Sequence, residues 1–190
     1  MAKIGIKGLT YAPYTSGGDG SAIVYGTGVK LDDYMIRADL NEERADVDFY
    51  ADDHKIDAEN SVTGVNVSLE LSNMTDALEK AFLGHVEGTG NELNVTDAES
   101  PFVGVGFICK ERFKGAVSYH GFWIYKVQFS KESDSTNTKG ENIDFQTQTV
   151  SGDAMGVQLT AEGNTVYYSH LRNAAEAPVR TWLNGKAGIS

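Results

Sequence analysis

Cysteine is nearly absent from this sequence of 190 residues, in which Cys109 is the only one. A single thiol excludes an intramolecular disulfide and a cysteine-based metal cluster, and it is typical of a reducing compartment. The sequence also has no apolar run approaching the roughly 20 residues of a membrane helix, and its first residues lack the apolar core of a secretory signal. We therefore expect a cytosolic protein that does not bind membranes.

Basic residues are also few: 16 Lys and Arg stand against 27 Asp and Glu, which gives a formal net charge of −11. A chain of this charge is repelled by nucleic-acid phosphates and by anionic lipids, so stable binding to either is not expected. Proline occurs only 3 times, whereas 21 glycines indicate many turns and bulges in an ordered fold. The length fits a single domain spanning residues 1–190.

Alternation of apolar and polar residues is what the sequence has in quantity, and it predicts β-strands with one buried face. Residues 64–71 show it most clearly, and residues 102–110 and 117–129 are predicted to form a long hairpin. In the second strand of this hairpin four large side chains are predicted to share one face: Trp123, Tyr125, Val127 and Phe129. A further strand begins near residue 143, with Gln148 on its exposed face.

One segment instead has the period of an amphipathic helix, with apolar residues spaced by three and four positions. They are Met74, Ala77, Leu78, Ala81 and Phe82. The pattern predicts a helix over about residues 73–83, which Ser72 or Asn73 would cap at its start and Gly84 at its end. The predicted fold is therefore mainly β, a sandwich or barrel of two packed antiparallel sheets with one flanking helix.

Residues 41–60 differ from the rest, because acidic side chains are clustered there and few large apolar groups interrupt them. Eleven acidic and four basic residues lie between Val29 and Asn60, a net charge of −7. We predict a long acidic loop over 41–60, in which Phe49 and Tyr50 dock on the domain or on a neighbour. A solvated face is the simplest interpretation of the charge. The alternative is a surface that repels a polyanion or that meets a basic patch on another copy, such as Lys110, Arg112 and Lys114.

Catalytic and metal-binding patterns are weak throughout. The paired acids are adjacent in sequence, which places them on opposite faces of a strand or in solvated turns. Acids 46–53 lack the glycine and terminal glutamate of a calcium loop, and no two of the four histidines have zinc-site spacing. Cys109 lies on the apolar face of its predicted strand, as a buried structural residue does. We therefore expect no enzyme activity, no metal and no cofactor.

Four segments in succession nevertheless resemble the major tail tube protein of long-tailed, non-contractile bacteriophages. They are KIGIKGLTYAPYT from Lys3, DFYADD from Asp48, YKVQFS from Tyr125 and KGENIDFQTQTVSGDA from Lys139. The resemblance spans most of the chain and is weakest after about residue 164.

This resemblance implies a structural virion protein whose six copies close into a ring, with the rings stacking into a hollow tail tube. The tube wraps a tape-measure protein during assembly in the host cytoplasm, ends at tail terminator and tail-end proteins, and conducts genomic DNA at ejection. Terminal arms over residues 1–15 and 165–190 are implied to contact other subunits.

The acidic segment is implied to contact the next ring through nine residues: Asn41, Glu42, Glu43, Arg44, Asp48, Phe49, Tyr50, Asp52 and Asp53. Five more residues are predicted to lie between subunits or along the lumen: Lys139, Glu141, Asp144, Gln146 and Gln148. Two other functions stay open, another ring-forming tail component (a tail-end or decoration protein) and a carbohydrate-binding module.

Overall fold

A computed structural model describes residues 2–51, 54–90, 92–131 and 147–189, with the backbone alone for 47–51 and 54–59. The chain forms these elements: β1 Ala2–Ser16, β2 Val24–Tyr25, β3 Val29–Leu31, β4 Met35–Ala51, β5 His54–Leu71, α1 Asp76–Leu83, β6 Val86–Glu87, β7 Leu93–Asn94, β8 Phe102–Phe113, β9 Ala116–Lys131, β10 Gln148–Ala154, β11 Val157–Gln158, β12 Thr165–Val166, β13 Tyr168–Asn173 and α2 Glu176–Ala187. The predicted mainly-β class is confirmed.

Nine of these strands form one antiparallel sheet in the order β2-β1-β8-β9-β10-β5-β4. Two further strands each pair with part of a strand edge. β13 pairs with β9 next to the segment of β9 that pairs with β10, and β3 pairs with β1 next to the segment that pairs with β2. The predicted β8–β9 hairpin is present, and its two strands pair from Phe102 to the turn after Phe113. The remaining described strands form two small hairpins, β6–β7 and β11–β12.

The large sheet folds over on itself, so that β1 approaches β4 and one face closes on a common core. Buried side chains from β1, β5, β8, β9 and β10 meet there, and the strict alternation of β5 places all four of its predicted apolar residues inside. Helix α1 fills this core with Phe82, whose ring stacks on Phe129 at 4.7 Å and meets Tyr11 edge-on at 5.4 Å. The sandwich is thus two layers of one curled sheet.

A second core lies on the opposite face of the sheet, beneath α2. Val179, Leu183 and Ala187 of this helix are buried against side chains of β8 and β9. The close approach requires glycine at position 106, because a Cβ there would lie 2.7 Å from both Leu183 and Trp123. Glycine at this position therefore lets α2 approach β8 closely.

The face assignment predicted for β9 is wrong over half its length. Trp123 and Tyr125 lie in the second core, whereas Val127 and Phe129 lie in the first. The cause is a bulge, since Val127 pairs with Val103 but Ile124 pairs with Val105, which leaves one extra residue on β9. The inserted residue reverses the alternation of faces beyond it. Both faces of β9 are buried because one core lies on each side of the strand.

The segments predicted as terminal arms are parts of the domain. Strand β1 pairs with β8 along its length and buries Leu9 and Ala12, and the C-terminal segment supplies β13 and α2. An ion pair joins the two segments, between Lys7 of β1 and Glu176 in the first turn of α2. The contacts with other subunits that the resemblance implies for these two segments stay a prediction.

The predicted helix exists but is shorter, and its start differs. Helix α1 covers Asp76–Leu83, with Thr75 as the N-cap residue in place of Ser72 or Asn73. The Thr75 hydroxyl accepts a hydrogen bond from the backbone N–H of Leu78 at 3.4 Å. Gly84 ends the helix in a left-handed conformation, as predicted.

The predicted acidic loop is instead a continuation of two strands. β4 and β5 remain paired from Met35 and Leu71 to Ala51 and His54 at the turn. Strand β10 stops where Ala154 pairs with Val65, so the rest of the hairpin continues without it. The loop prediction is wrong because a two-stranded ribbon without a covered face needs no alternation of apolar residues.

Candidate assembly surfaces

The acidic side of the molecule is built on an edge strand. Among the described residues β4 forms a ladder with β5 alone, so one edge of its 17 residues has no backbone partner. An open edge of this length is a template for pairing with another chain. Its charged side chains disfavour pairing with an identical strand, because like charges would then face each other.

Hydrogen bonds hold Glu42 and Arg44 of this edge strand in place. Arg44 donates to Glu42 Oε2 at 2.7 Å and to Asn60 Oδ1 at 3.1 Å, and the Tyr168 hydroxyl donates to Glu42 Oε1 at 2.8 Å. The bond from Arg44, with that from Tyr168, lowers the pKa of the Glu42 carboxyl. The hairpin is thereby tied to β13, and Tyr167 reaches it too, by donating to the Val62 carbonyl at 3.4 Å.

A cleft of about 410 Å³ lies between the hairpin and β13, with Glu42, Val62 and Tyr168 among its lining residues. Burial is the main reason that the pKa of the Tyr168 hydroxyl is raised, and its bond to Glu42 adds to the effect. Sequence reasoning missed this contact because it assigned Tyr167 and Tyr168 to an arm. The two adjacent aromatic residues were the available signal that the segment packs.

The residues predicted for ring contact fall into three groups. Four lie on β4 and are exposed: Asn41, Glu42, Glu43 and Arg44. Three lie on the β4 backbone but their side chains are outside the described part: Asp48, Phe49 and Tyr50. Asp52 and Asp53 lie outside the described residues. The described four are therefore brought together on one edge.

Of the residues predicted for the lumen or a subunit contact, only Gln148 is described, because Lys139, Glu141, Asp144 and Gln146 lie outside the described ranges. Gln148 was predicted to lie on an exposed face of its strand, and this prediction is wrong. It is half-buried, and its Oε1 is buried without a hydrogen-bond partner in the described structure. The inward face of β10 is set by Val150, which lies two positions on, so Thr147 and Thr149 are the exposed residues.

The other edge of the sheet has a basic end. Among the described residues, 2–7 of β1 pair with β8 only, since β3 joins β1 from Leu9 onward. Four cations surround this open stretch and make no ion pair with a described carboxylate: Lys3, Lys110, Arg112 and Lys114. Lys3 instead lies over the Phe122 ring at 5.1 Å, and Lys114 over Phe113 at 5.5 Å. We call this surface the basic end.

A buried polar cluster lies behind the basic end, between β8, β9 and β13. His120 Nδ1 is 3.1 Å from Glu111 Oε1, and Arg172 Nε is 3.4 Å from Glu111 Oε2. Burial lowers the pKa of His120, and it raises the pKa of the nearby Cys109 thiol. No group of three or more His, Cys, Asp or Glu among the described residues is placed to hold a metal ion.

Comparison with known proteins adds no relationship: no family model and no curated protein matches the chain. Neither helix of the described structure has the length and apolar character needed to cross a membrane.

Proposed function

We propose that this chain is the structural subunit of a bacteriophage tail tube, whose six copies close into a ring and whose rings stack into a hollow conduit for DNA. The observation that carries the proposal is the long edge of β4, which has no backbone partner among the described residues. A neighbouring subunit can cover such an edge, and in a closed ring every copy covers the edge of the next one.

Two further observations support the proposal. The order of sequence segments resembles tail tube proteins, and the mainly-β sandwich is the fold that this resemblance implies. The net charge of −11 suits a conduit, because an acidic wall repels the phosphates of passing DNA instead of holding them. The inferred partners are other copies of the chain, a tape-measure protein inside the tube, and the tail terminator and tail-end proteins.

Electron microscopy of the purified, concentrated protein tests the proposal. We expect hollow tubes made of stacked rings. Isolated rings that do not stack would favour a tail-end or decoration protein, and a strict monomer that binds sugar would overturn the assignment.

The hairpin is tested in the same assay by replacing Phe49 and Tyr50 together with Ser. We expect a folded monomer that no longer polymerises, with the thermal unfolding curve as the control for folding. If the tubes form unchanged, these two residues do not take part in assembly. Replacing the exposed Val95 with Ser is the matched control, since it removes apolar surface far from the hairpin.

A further inference from the structure

The two open edges of the sheet run in opposite directions. From β1 to β4 the sheet passes through β8, β9, β10 and β5, and each of the five steps is antiparallel. Strand β4 therefore runs opposite to β1. A second copy placed beside the first in the same orientation presents its β4 antiparallel to the open stretch of β1.

The acidic hairpin, formed by residues 41–51 of β4 and 54–60 of β5, lies at the same end of the sheet as the basic end. Ala154 of β10 pairs with Val127 on one side and with Val65 on the other, which sets a common level. From that level β9 extends eleven residues to Ala116 at its turn, and β5 extends eleven residues to His54 at the other turn. Neighbouring copies in the same orientation thus bring one acidic hairpin beside one basic end.

Charge makes the two surfaces complementary. Residues 41–60 carry eight acidic and two basic side chains, whereas the basic end carries four cations that no described carboxylate neutralises. Unpaired cations are a specific feature in a chain whose net charge is −11. They attract the acidic hairpin of another copy, and they repel another basic end, so the contact is head-to-tail.

Exposed apolar side chains complete the basic end. Ile4 is 52% exposed, Phe113 is 53% exposed and Val117 is 37% exposed, and all three lie on the strand ends that carry the cations. Apolar groups ringed by unpaired charges are typical of a surface that a protein partner covers.

We propose that β4 of one copy pairs in antiparallel register with residues 2–7 of β1 in the next copy, which sets the acidic hairpin on the basic end. The inference rests on the proposed self-assembly and specifies its lateral contact. It places the acidic hairpin against the neighbour at its side, where the sequence resemblance implied a contact with the next ring.

Charge reversal on each surface tests the contact. One variant, Arg112→Glu with Lys114→Glu, reverses the basic end, and the other, Glu43→Lys with Asp46→Lys, reverses the hairpin. All four side chains are exposed. We expect each variant alone to need a protein concentration at least about tenfold higher for assembly, because like charges then face each other across the contact. Sedimentation and electron microscopy provide the measurement.

Mixing the two variants gives the sharper result. The first variant keeps a native hairpin and the second keeps a native basic end, and the two reversed surfaces are again opposite in charge. An equimolar mixture should therefore assemble with the two variants in alternation, at a concentration where neither assembles alone. Two control variants carry the same changes of charge elsewhere and should assemble as the unaltered protein does: Lys30→Glu with Lys80→Glu, and Asp97→Lys with Glu99→Lys.

The outcomes separate this contact from the proposed function. If the unaltered protein forms tubes and both reversed variants do so equally well, or if the folded variants do not combine, the contact is overturned and the tube stands. If the unaltered protein forms rings or chains that never stack, and the variants behave as expected, the contact stands and the tube is overturned. A protein that remains monomeric at every concentration overturns both.

Discussion

Nδ1 of His120 lies 3.1 Å from Oε1 of Glu111, and both side chains are almost fully buried. A neutral imidazole protonated on Nδ1 donates this bond, and Nε2 is then buried without a partner in the described structure. Arg172 faces the same pair, with its Nε 3.3 Å from Nδ1, and the ring of His170 meets that of His120 edge-on at 5.0 Å. Two other basic groups, both exposed to solvent, thus flank the buried pair.

Acid is expected to destabilise the protein through His120. Burial lowers its pKa in the folded state, so the unfolded chain binds the proton more readily. Stability is therefore complete above the unfolded pKa of about 6.5, and it falls as the pH drops below that value, by about 1.4 kcal/mol for each unit of depression. Urea denaturation between pH 5 and 8 measures this slope. His120→Gln should reduce the slope, and an unchanged slope would contradict the assignment.

Gly106 is expected to tolerate no side chain. A Cβ at this position meets Leu183 and Trp123 at 2.7 Å, so Gly106→Ala should cost about 1–3 kcal/mol and loosen α2 from the sheet. Gly185→Ala in α2 is the matched control, because a Cβ there has no atom within 4 Å. It should stabilise the helix by up to about 1 kcal/mol. Thermal unfolding measures both, and equal effects of the two changes would contradict the packing.

Phe82 is expected to be the most important contact of α1. It is completely buried and touches the rings of both Phe129 and Tyr11, so Phe82→Ala should cost about 3–5 kcal/mol in unfolding free energy. Val95→Ala, at a side chain that is 78% exposed, should change stability by less than about 0.5 kcal/mol. Chemical denaturation checks the pair, and a loss below about 1 kcal/mol at Phe82 would show that α1 does not seal this core.

Thr75 is expected to stabilise the start of α1. Thr75→Ala removes the hydroxyl that accepts from the Leu78 N–H, and it should cost about 0.5–1 kcal/mol, at the lower end for caps because the bond is 3.4 Å long. Thr75→Ser retains the hydroxyl and should lose less. If the two variants lose the same stability, the threonine methyl group and not the cap is responsible.

Strands with one covered face were predictable from the sequence, because covering one face imposes alternation on the side chains. Residues Val65 to Leu71 of β5 satisfy this condition and were placed correctly. The faces of β9 were not predictable. The extra residue at the bulge is not marked by any change in amino-acid composition, yet it reverses the face on which every later side chain lies. The inward turn of Gln148 was missed for a related reason: the phase of β10 is set by Val150, and the residues before Thr147 suggested the opposite phase.

The candidate surfaces were predictable in composition but not in geometry. The acidic excess over 41–60 and the basic residues Lys110, Arg112 and Lys114 are visible in the sequence. Their placement at one end of opposite edges depends on the sheet order, and long-range pairing such as that of β1 with β8 leaves no local signal. Sequence reasoning therefore identified the charged segments and misread the strand that carries the acids as a loop.

The position of β9 between the two cores also determines how the domain comes apart. Because this strand contributes Ile124 to one core and Trp123 to the other, and pairs with β8, β10 and β13, neither core separates from the rest while β9 keeps its place. The two cores thus form a single cooperative unit. We expect the amide hydrogens of β9 to exchange with solvent only when the whole domain unfolds, and those of the acidic hairpin to exchange through local opening.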